Sequence, residues 1–155
     1  MLISNEWLKD YVNVDQSVQA LAERITRTGI EVDDIIDYTK DIKKLVVGHV
    51  LSKTPHPDAD KLNICQVDLG EEEPVQIVCG APNVDEGQHV IVAKVGGRLP
   101  GGIKIKRAKL RGERSEGMIC SLQEIGISSH VTPKNYESGI YVFPEAVKPE
   151  IGRAS

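Results

Sequence analysis

Eight cations crowd into one short stretch. Lys94, Arg98, Lys104, Lys106, Arg107, Lys109, Arg111 and Arg114 stand against a single acid, Glu113, within residues 94–114. That segment carries +7 in a chain of net charge −4, whose residues 1–93 sum to −9 and residues 115–155 to −2. Lysines and arginines at this density can neutralise phosphates, and so one-sided a field favours a polyanion at one face. Ile103, Ile105, Ala108 and Leu110 fall between the cations. Alternation with period two predicts a strand over 103–111, with those four residues in the core and Lys104, Lys106, Lys109 and Arg111 in water. The phase slips once, at the adjacent Lys106 and Arg107, as a β-bulge requires. The alternative is a solvated outer face with no ligand.

Other chemistry finds little support. The glycine-rich run 96–102 lacks the Gly-Lys-Ser/Thr ending of a phosphate loop and predicts a hairpin turn instead. Ser115 has no evident base, and a nucleophile without one is only a serine. Asp58 and Asp60, or Asp33 and Asp34, lie in polar segments and read as solvated. His49, His56, His89 and His130 share no helix face, which argues against a metal site. Cys65, Cys79 and Cys120 are odd in number and form no C-x-x-C pair. Each sits in an apolar run, as buried reduced thiols do. The N-terminus lacks a basic start followed by an apolar core, so a signal peptide is not expected, and no apolar run is long enough for a membrane span. The expected location is the cytoplasm.

The elements that must position the basic segment are short. Residues 1–38 read as a small helical cap, with Asp15 as N-cap, Val18, Leu21, Ala22 and Ile25 on one face, and Gly29 as the stop. Residues 4–12 predict a shorter helix and 30–38 an extended stretch. From 42 onward the texture is strands at 45–51, 62–69, 75–79, 90–95 and 103–111, with turn signals between them and a last strand at 140–143. Ser121 and Glu124 spell a capping box for a short helix that stops at Gly126. Five short strands at close spacing predict a mainly β fold: an OB-fold Greek-key barrel with a small α/β segment before it. No aromatic residue lies between Tyr38 and Tyr136. OB-folds that grip single strands stack bases on aromatics. This barrel must instead read phosphates, sugar hydroxyls and shape, which favours folded RNA.

Three segments are richer than a plain barrel requires: His56-Pro57-Asp58-Ala59-Asp60-Lys61-Leu62, Cys79-Gly80-Ala81-Pro82-Asn83-Val84, and the run from Leu110-Arg111-Gly112-Glu113-Arg114-Ser115 through Glu116-Gly117-Met118-Ile119-Cys120-Ser121. In this order and spacing they resemble the tRNA-binding module related to endothelial-monocyte-activating polypeptide, an OB-fold that recognises tRNA largely by shape. The first residues, Leu2-Ile3-Ser4-Asn5-Glu6-Trp7-Leu8 and Leu21-Ala22-Glu23-Arg24-Ile25, look like the start of bacterial phenylalanyl-tRNA synthetase beta subunits. That resemblance implies residues 1–39 as the first part of a split small domain, 40–150 as the module and 151–155 as a truncated return into the split domain. It also implies a longer parent, a tetramer of two alpha and two beta subunits. The alpha subunit would carry the ATP- and magnesium-dependent chemistry, with no cofactor and no active site in this part.

The candidate RNA-binding residues are Lys61, Asn83, Lys104, Lys106, Lys109, Arg111, Arg114, Ser115 and Met118. The cations would neutralise phosphates, Asn83 and Ser115 would donate hydrogen bonds, and Met118 would offer an apolar contact. Asn83 as an Asx-turn, Ser115 as a turn cap and Met118 as core are the competing readings. Two rival functions stay open: an interaction module with little RNA contact, and a stand-alone tRNA-binding protein.

Overall fold

The structure is a computed structural model that describes residues 1–37, 40–130 and 132–144. The chain divides into two compact units, Met1–Tyr38 and Thr39–Ser155. The predicted return at 151–155 lies outside the described residues, as does Tyr38 at the end of the predicted extended stretch.

The first unit holds two helices, α1 (Asn5–Lys9) and α2 (Val18–Arg27). Ser4 caps α1 by accepting from the Trp7 N–H at 3.3 Å. Ser17, not Asp15, caps α2, accepting from the Ala20 N–H at 3.2 Å. The correction follows from register: the helix starts at Val18, so Ser17 has the extended backbone and the three-residue reach that a cap needs. Neither helix contains a buried residue. Residues 30–37 form no strand.

The second unit is built on β1 (Lys43–His56), β2 (Ala59–Asp68), β3 (Val75–Cys79), β4 (His89–Leu99), β5 (Ile103–Lys104), β6 (Ala108–Leu110), β7 (Glu113–Ser115) and β8 (Gly117–Ile119). One antiparallel sheet runs β3-β2-β1-β4-β5, with β8 also on β4; β6 and β7 pair separately. The sheet curls until β8 returns to β3, where the Glu116 N–H donates to the Gln76 carbonyl at 2.8 Å. A meander of three strands, a fourth beside the first and a last strand closing on the third is the connectivity of an OB-fold. Among the described residues, no helix is long and apolar enough to cross a membrane.

The barrel interior is filled by Val46, Val50, Val67, Ile77, Val90, Val92 and Ile119, among others. β4 is buried on both faces. Val90 and Val92 point inward, while Ile91 and Ala93 pack outward with Cys120 and Leu122 against Tyr141 and Phe143. That double burial explains the unbroken apolar run at 90–93. All three cysteines are free and buried. Burial first, then the neighbouring Cys79, pushes the Cys65 thiol up to about 11. Burial first, then Glu124, pushes Cys120 up to about 12.

Three local expectations change. The glycine run is not one turn: Gly97 lies inside β4, and a β-carbon there would stand 2.7 Å from the Lys43 carbonyl and 2.8 Å from that of Lys94. Only glycine allows so close a kink of β4 over β1, and the turn itself falls at 100–102. The capping box forms reciprocally, Ser121 N to Glu124 Oε2 at 2.7 Å and Glu124 N to Ser121 Oγ at 3.2 Å, but closes a turn instead of a helix. Gly126 ends it too soon for more. The last strand shrinks to one bridge, Val142 to Val90, with Phe143 N donating to His89 O at 2.9 Å.

Candidate nucleic-acid interface

The predicted strand 103–111 breaks in two, because residues 108–110 find a partner nearer in sequence. Arg111 and Gly112 both take positive φ, +48° and +94°. Two such residues make the I′ turn that suits a tight hairpin, and they fold β6 back on β7. β5 alone stays on β4. Of the four residues expected in the core, only Ile105 is there, at 6% exposure; Ile103 is 49% and Leu110 40% exposed, and Ala108 is exposed too. The cations Lys104, Lys106, Lys109, Arg111 and Arg114 all face solvent.

A left-handed arginine costs roughly 1 kcal/mol and needs support. His56 provides it from the tip of the β1–β2 hairpin. The Asp58 N–H donates to His56 Nδ1 at 3.0 Å, so the ring proton sits on Nε2, which donates to the Leu110 carbonyl at 3.0 Å. The ring is 5% exposed. Arg111 also reaches the Asp58 carbonyl, at 3.4 Å through Nη1. The hairpin's other strand is tied to β3: Gln76 Nε2 donates to the Arg114 carbonyl at 2.9 Å. Sequence reasoning passes over His56, since a lone histidine between prolines reads as turn. Its only signal is membership of the same motif set as Leu110.

Charge compensation is sparse. Arg107 pairs with Glu116 at 3.3 Å, and Lys94 pairs with Glu71. Among the described residues, Arg98, Lys104, Lys106, Lys109, Arg111 and Arg114 have no ion-pair partner. Lys109 and Arg114 stand directly opposite each other in the hairpin. Like charges in that position destabilise a strand pair, and a bound polyanion would relieve them. Lys61 is exposed on β2.

The remaining three candidates, Ser115, Asn83 and Met118, are engaged within the fold. Ser115 is 3% exposed. Its Oγ accepts from Val78 N at 3.1 Å and donates to Gly117 O at 3.0 Å, joining β3 to β7 at the barrel seam. Asn83 uses both ends of its amide on Ile140, Nδ2 to O at 2.8 Å and N to Oδ1 at 3.0 Å. A β-carbon on Gly139 would collide with that amide. Met118 is half-buried against the outer cluster, opposite Ala93.

The family described as "Putative tRNA binding domain" matches residues 45–149. The chain belongs to this tRNA-binding domain family. It is 99% identical over 149 residues to the phenylalanine–tRNA ligase beta subunit of Staphylococcus epidermidis (strain ATCC 12228), a match covering 96% of this chain and 19% of that one. The same-named protein of Staphylococcus aureus (strain USA300) is 83% identical over 149 residues, with equal coverage of 96% and 19%. The chain thus spans 19% of the length of these curated relatives. The MetRS related protein from Pyrococcus horikoshii is similar at 21% identity and TM-score 0.47, over 74% of this chain and 93% of that one. The C-terminal domain of Plasmodium vivax p43 is similar at 27% identity and TM-score 0.42, over 57% and 48%. In this tRNA-binding domain the first and third motifs meet through His56 and Leu110, while the second clamps the C-terminal segment through Asn83.

Proposed function

We propose that this chain is the tRNA-binding module of a phenylalanine–tRNA ligase beta subunit, holding folded tRNA by phosphate and shape contacts. The carrying observation is the hairpin Ala108–Ser115. Lys109, Arg111 and Arg114 stand there exposed and unpaired among the described residues, on a turn fixed from below by His56. Lys61, Lys104 and Lys106 extend the same surface chemistry. The missing aromatics between Tyr38 and Tyr136 direct it to phosphates and not to stacked bases. In the whole enzyme this module would support ATP- and magnesium-dependent aminoacylation of tRNA in the cytoplasm. Its partners there are the rest of the beta subunit and the alpha subunit, in a tetramer of two alpha and two beta chains. Residues 1–39 would belong to a split small domain and 40–150 to the module.

The inward commitment of His56, Asn83 and Ser115 favours a second reading, a scaffold that braces the large subunit with little RNA contact. Salt separates the two. If about four phosphates are neutralised, log K for tRNA falls with log salt at a slope of roughly −3 to −4. The variant Lys106→Glu/Lys109→Glu should melt within about 1 kcal/mol of the parent, since both sites are exposed. It should retain well under half of the tRNA binding at moderate salt. Parent-like binding by that variant supports the scaffold, whereas a slope near zero or tighter binding to single-stranded oligomers than to tRNA sinks the folded-tRNA reading.

A further inference from the structure

A second group of unpaired cations lies away from the hairpin, across three adjacent strands. Lys43 of β1 stands opposite Arg98 of β4, and Arg98 stands opposite Lys104 of β5. Residues directly opposite in antiparallel ladders project from the same face. All three are exposed, and none has an ion-pair partner among the described residues. Three like charges side by side are unfavourable for the sheet. The local backbone is nonetheless bent to present them. Lys44 takes φ +57°, the β1–β4 register shifts between Lys43 and Leu45, Gly96 takes φ +80°, and Gly97 packs tightly on the Lys43 and Lys94 carbonyls immediately before Arg98. Beside the row opens a cleft of about 150 Å³, lined by Lys40, Asp41, Lys43, Arg98, Leu99 and Gly102.

We propose that Lys43, Arg98 and Lys104 form a second phosphate-binding site for the RNA backbone. This proposal rests on the tRNA-binding reading and adds to it two residues, Lys43 and Arg98, that the hairpin does not contain. Three cations in register suit an anion that carries its charge on several oxygens and can bridge neighbouring side chains. The distance to the hairpin is short: the five residues from Lys104 to Lys109 span at most about 18 Å of chain. One RNA strand of a few nucleotides can therefore touch both sites.

The test titrates bulk tRNA against the 155-residue chain and against Lys43→Gln/Arg98→Gln, over a range of potassium chloride, with thermal melts alongside. Losing one phosphate contact should weaken binding about eightfold at 0.1 M salt and make the log–log slope shallower by about 1. The melting temperature should stay the same or rise, because the like-charge row is relieved; this separates lost contact from lost fold. Parent-like affinity and slope in the row variant, with binding lost in Lys106→Glu/Lys109→Glu, overturns the second site and leaves the tRNA-binding reading standing. A parent with no salt-dependent tRNA binding overturns both. Replacing chloride by inorganic phosphate at equal ionic strength should weaken tRNA binding more in the parent than in the row variant, because free phosphate competes for the same three cations. An equal response in the two proteins would overturn the row as a site for an RNA phosphate.

Discussion

In β1, Val46 and Val50 lie inside the barrel, walled by β2 on one side and β4 on the other. In β6, Ala108 and Leu110 hold the same kind of alternating position and remain exposed. Both segments alternate apolar and polar residues, so the difference lies in what covers them. A strand paired on both edges of a curled sheet must turn one face to the core. A hairpin with a single ladder and no second layer has no core to turn to. Its order comes from point attachments instead: His56 to Leu110, Gln76 to Arg114 and Ser115 to Val78. The barrel is held by area and the basic hairpin by a few directed bonds. That suits a surface meant to present charge.

The largest expected effect tests the contrast at neighbouring residues. Ile105 is the one apolar side chain of residues 103–111 that reaches the core, at 6% exposure. Ile105→Ala should cost about 2–4 kcal/mol through the cavity it leaves. Leu110→Ala, at a position 40% exposed, should cost well under about 1 kcal/mol. Chemical denaturation of the two variants measures both. Equal losses would mean that the hairpin is packed as firmly as the barrel.

Much of the barrel is readable in the residues themselves, because its strands obey local rules. Residues 75–79 are apolar but for Gln76, with turn residues on both sides, and β3 occupies that stretch. The fate of 103–111 is less legible. Its alternation is real, but whether a face is buried depends on a second layer that no local pattern reports. The Arg111-Gly112 dipeptide is also a weak turn signal, since arginine seldom accepts positive φ without outside support. That support comes from His56, which bonds Leu110 from 54 residues away in sequence. The same distance problem affects Asn83 and Ser115. Their types suit an RNA contact equally well, and only the approach of Ile140 and Val78 consumes their hydrogen bonds. Lys43 and Arg98 fail for another reason, because a row across three strands needs the register, which a single strand does not contain.

A middle-sized effect probes the attachments. Ser115→Ala leaves the Val78 N–H without its partner at a buried seam. The expected cost is about 1–3 kcal/mol, the penalty of an unsatisfied buried donor. The tRNA affinity of the folded fraction should not change, since the hydroxyl is turned to β3 and Gly117. Thermal melts and salt titrations on the same sample read the two quantities. A variant that melts like the parent but loses tRNA binding would return Ser115 to the list of direct contacts.

The smallest effect belongs to the barrel alone and appears on acidification. His49 and His89 are ladder partners on β1 and β4, their rings stacked 4.5 Å apart and only 5° from parallel. Burial first, and then the facing His49, lowers the His89 pKa below its ordinary 6.5. On β2, Asp68 stands opposite His49 in the next ladder; beyond β4, the Val90–Val142 bridge adds no charged side chain. The sign follows from proton binding. Below pH 6.5 the unfolded chain protonates this ring while the folded chain still resists, so unfolding takes up a proton. Stability is therefore full above pH 6.5 and is lost as pH falls through the lower folded value. Tm should therefore fall between neutral pH and pH 5. His89→Gln should flatten that slope, and His49→Gln should remove only the part due to the facing ring. Variants of Lys106 and Lys109 should keep the parent's slope, because the hairpin contributes nothing to this stacked pair. A slope that vanishes with the lysines and survives His89→Gln would place the acid-sensitive contact in the hairpin and reverse the contrast between the two regions.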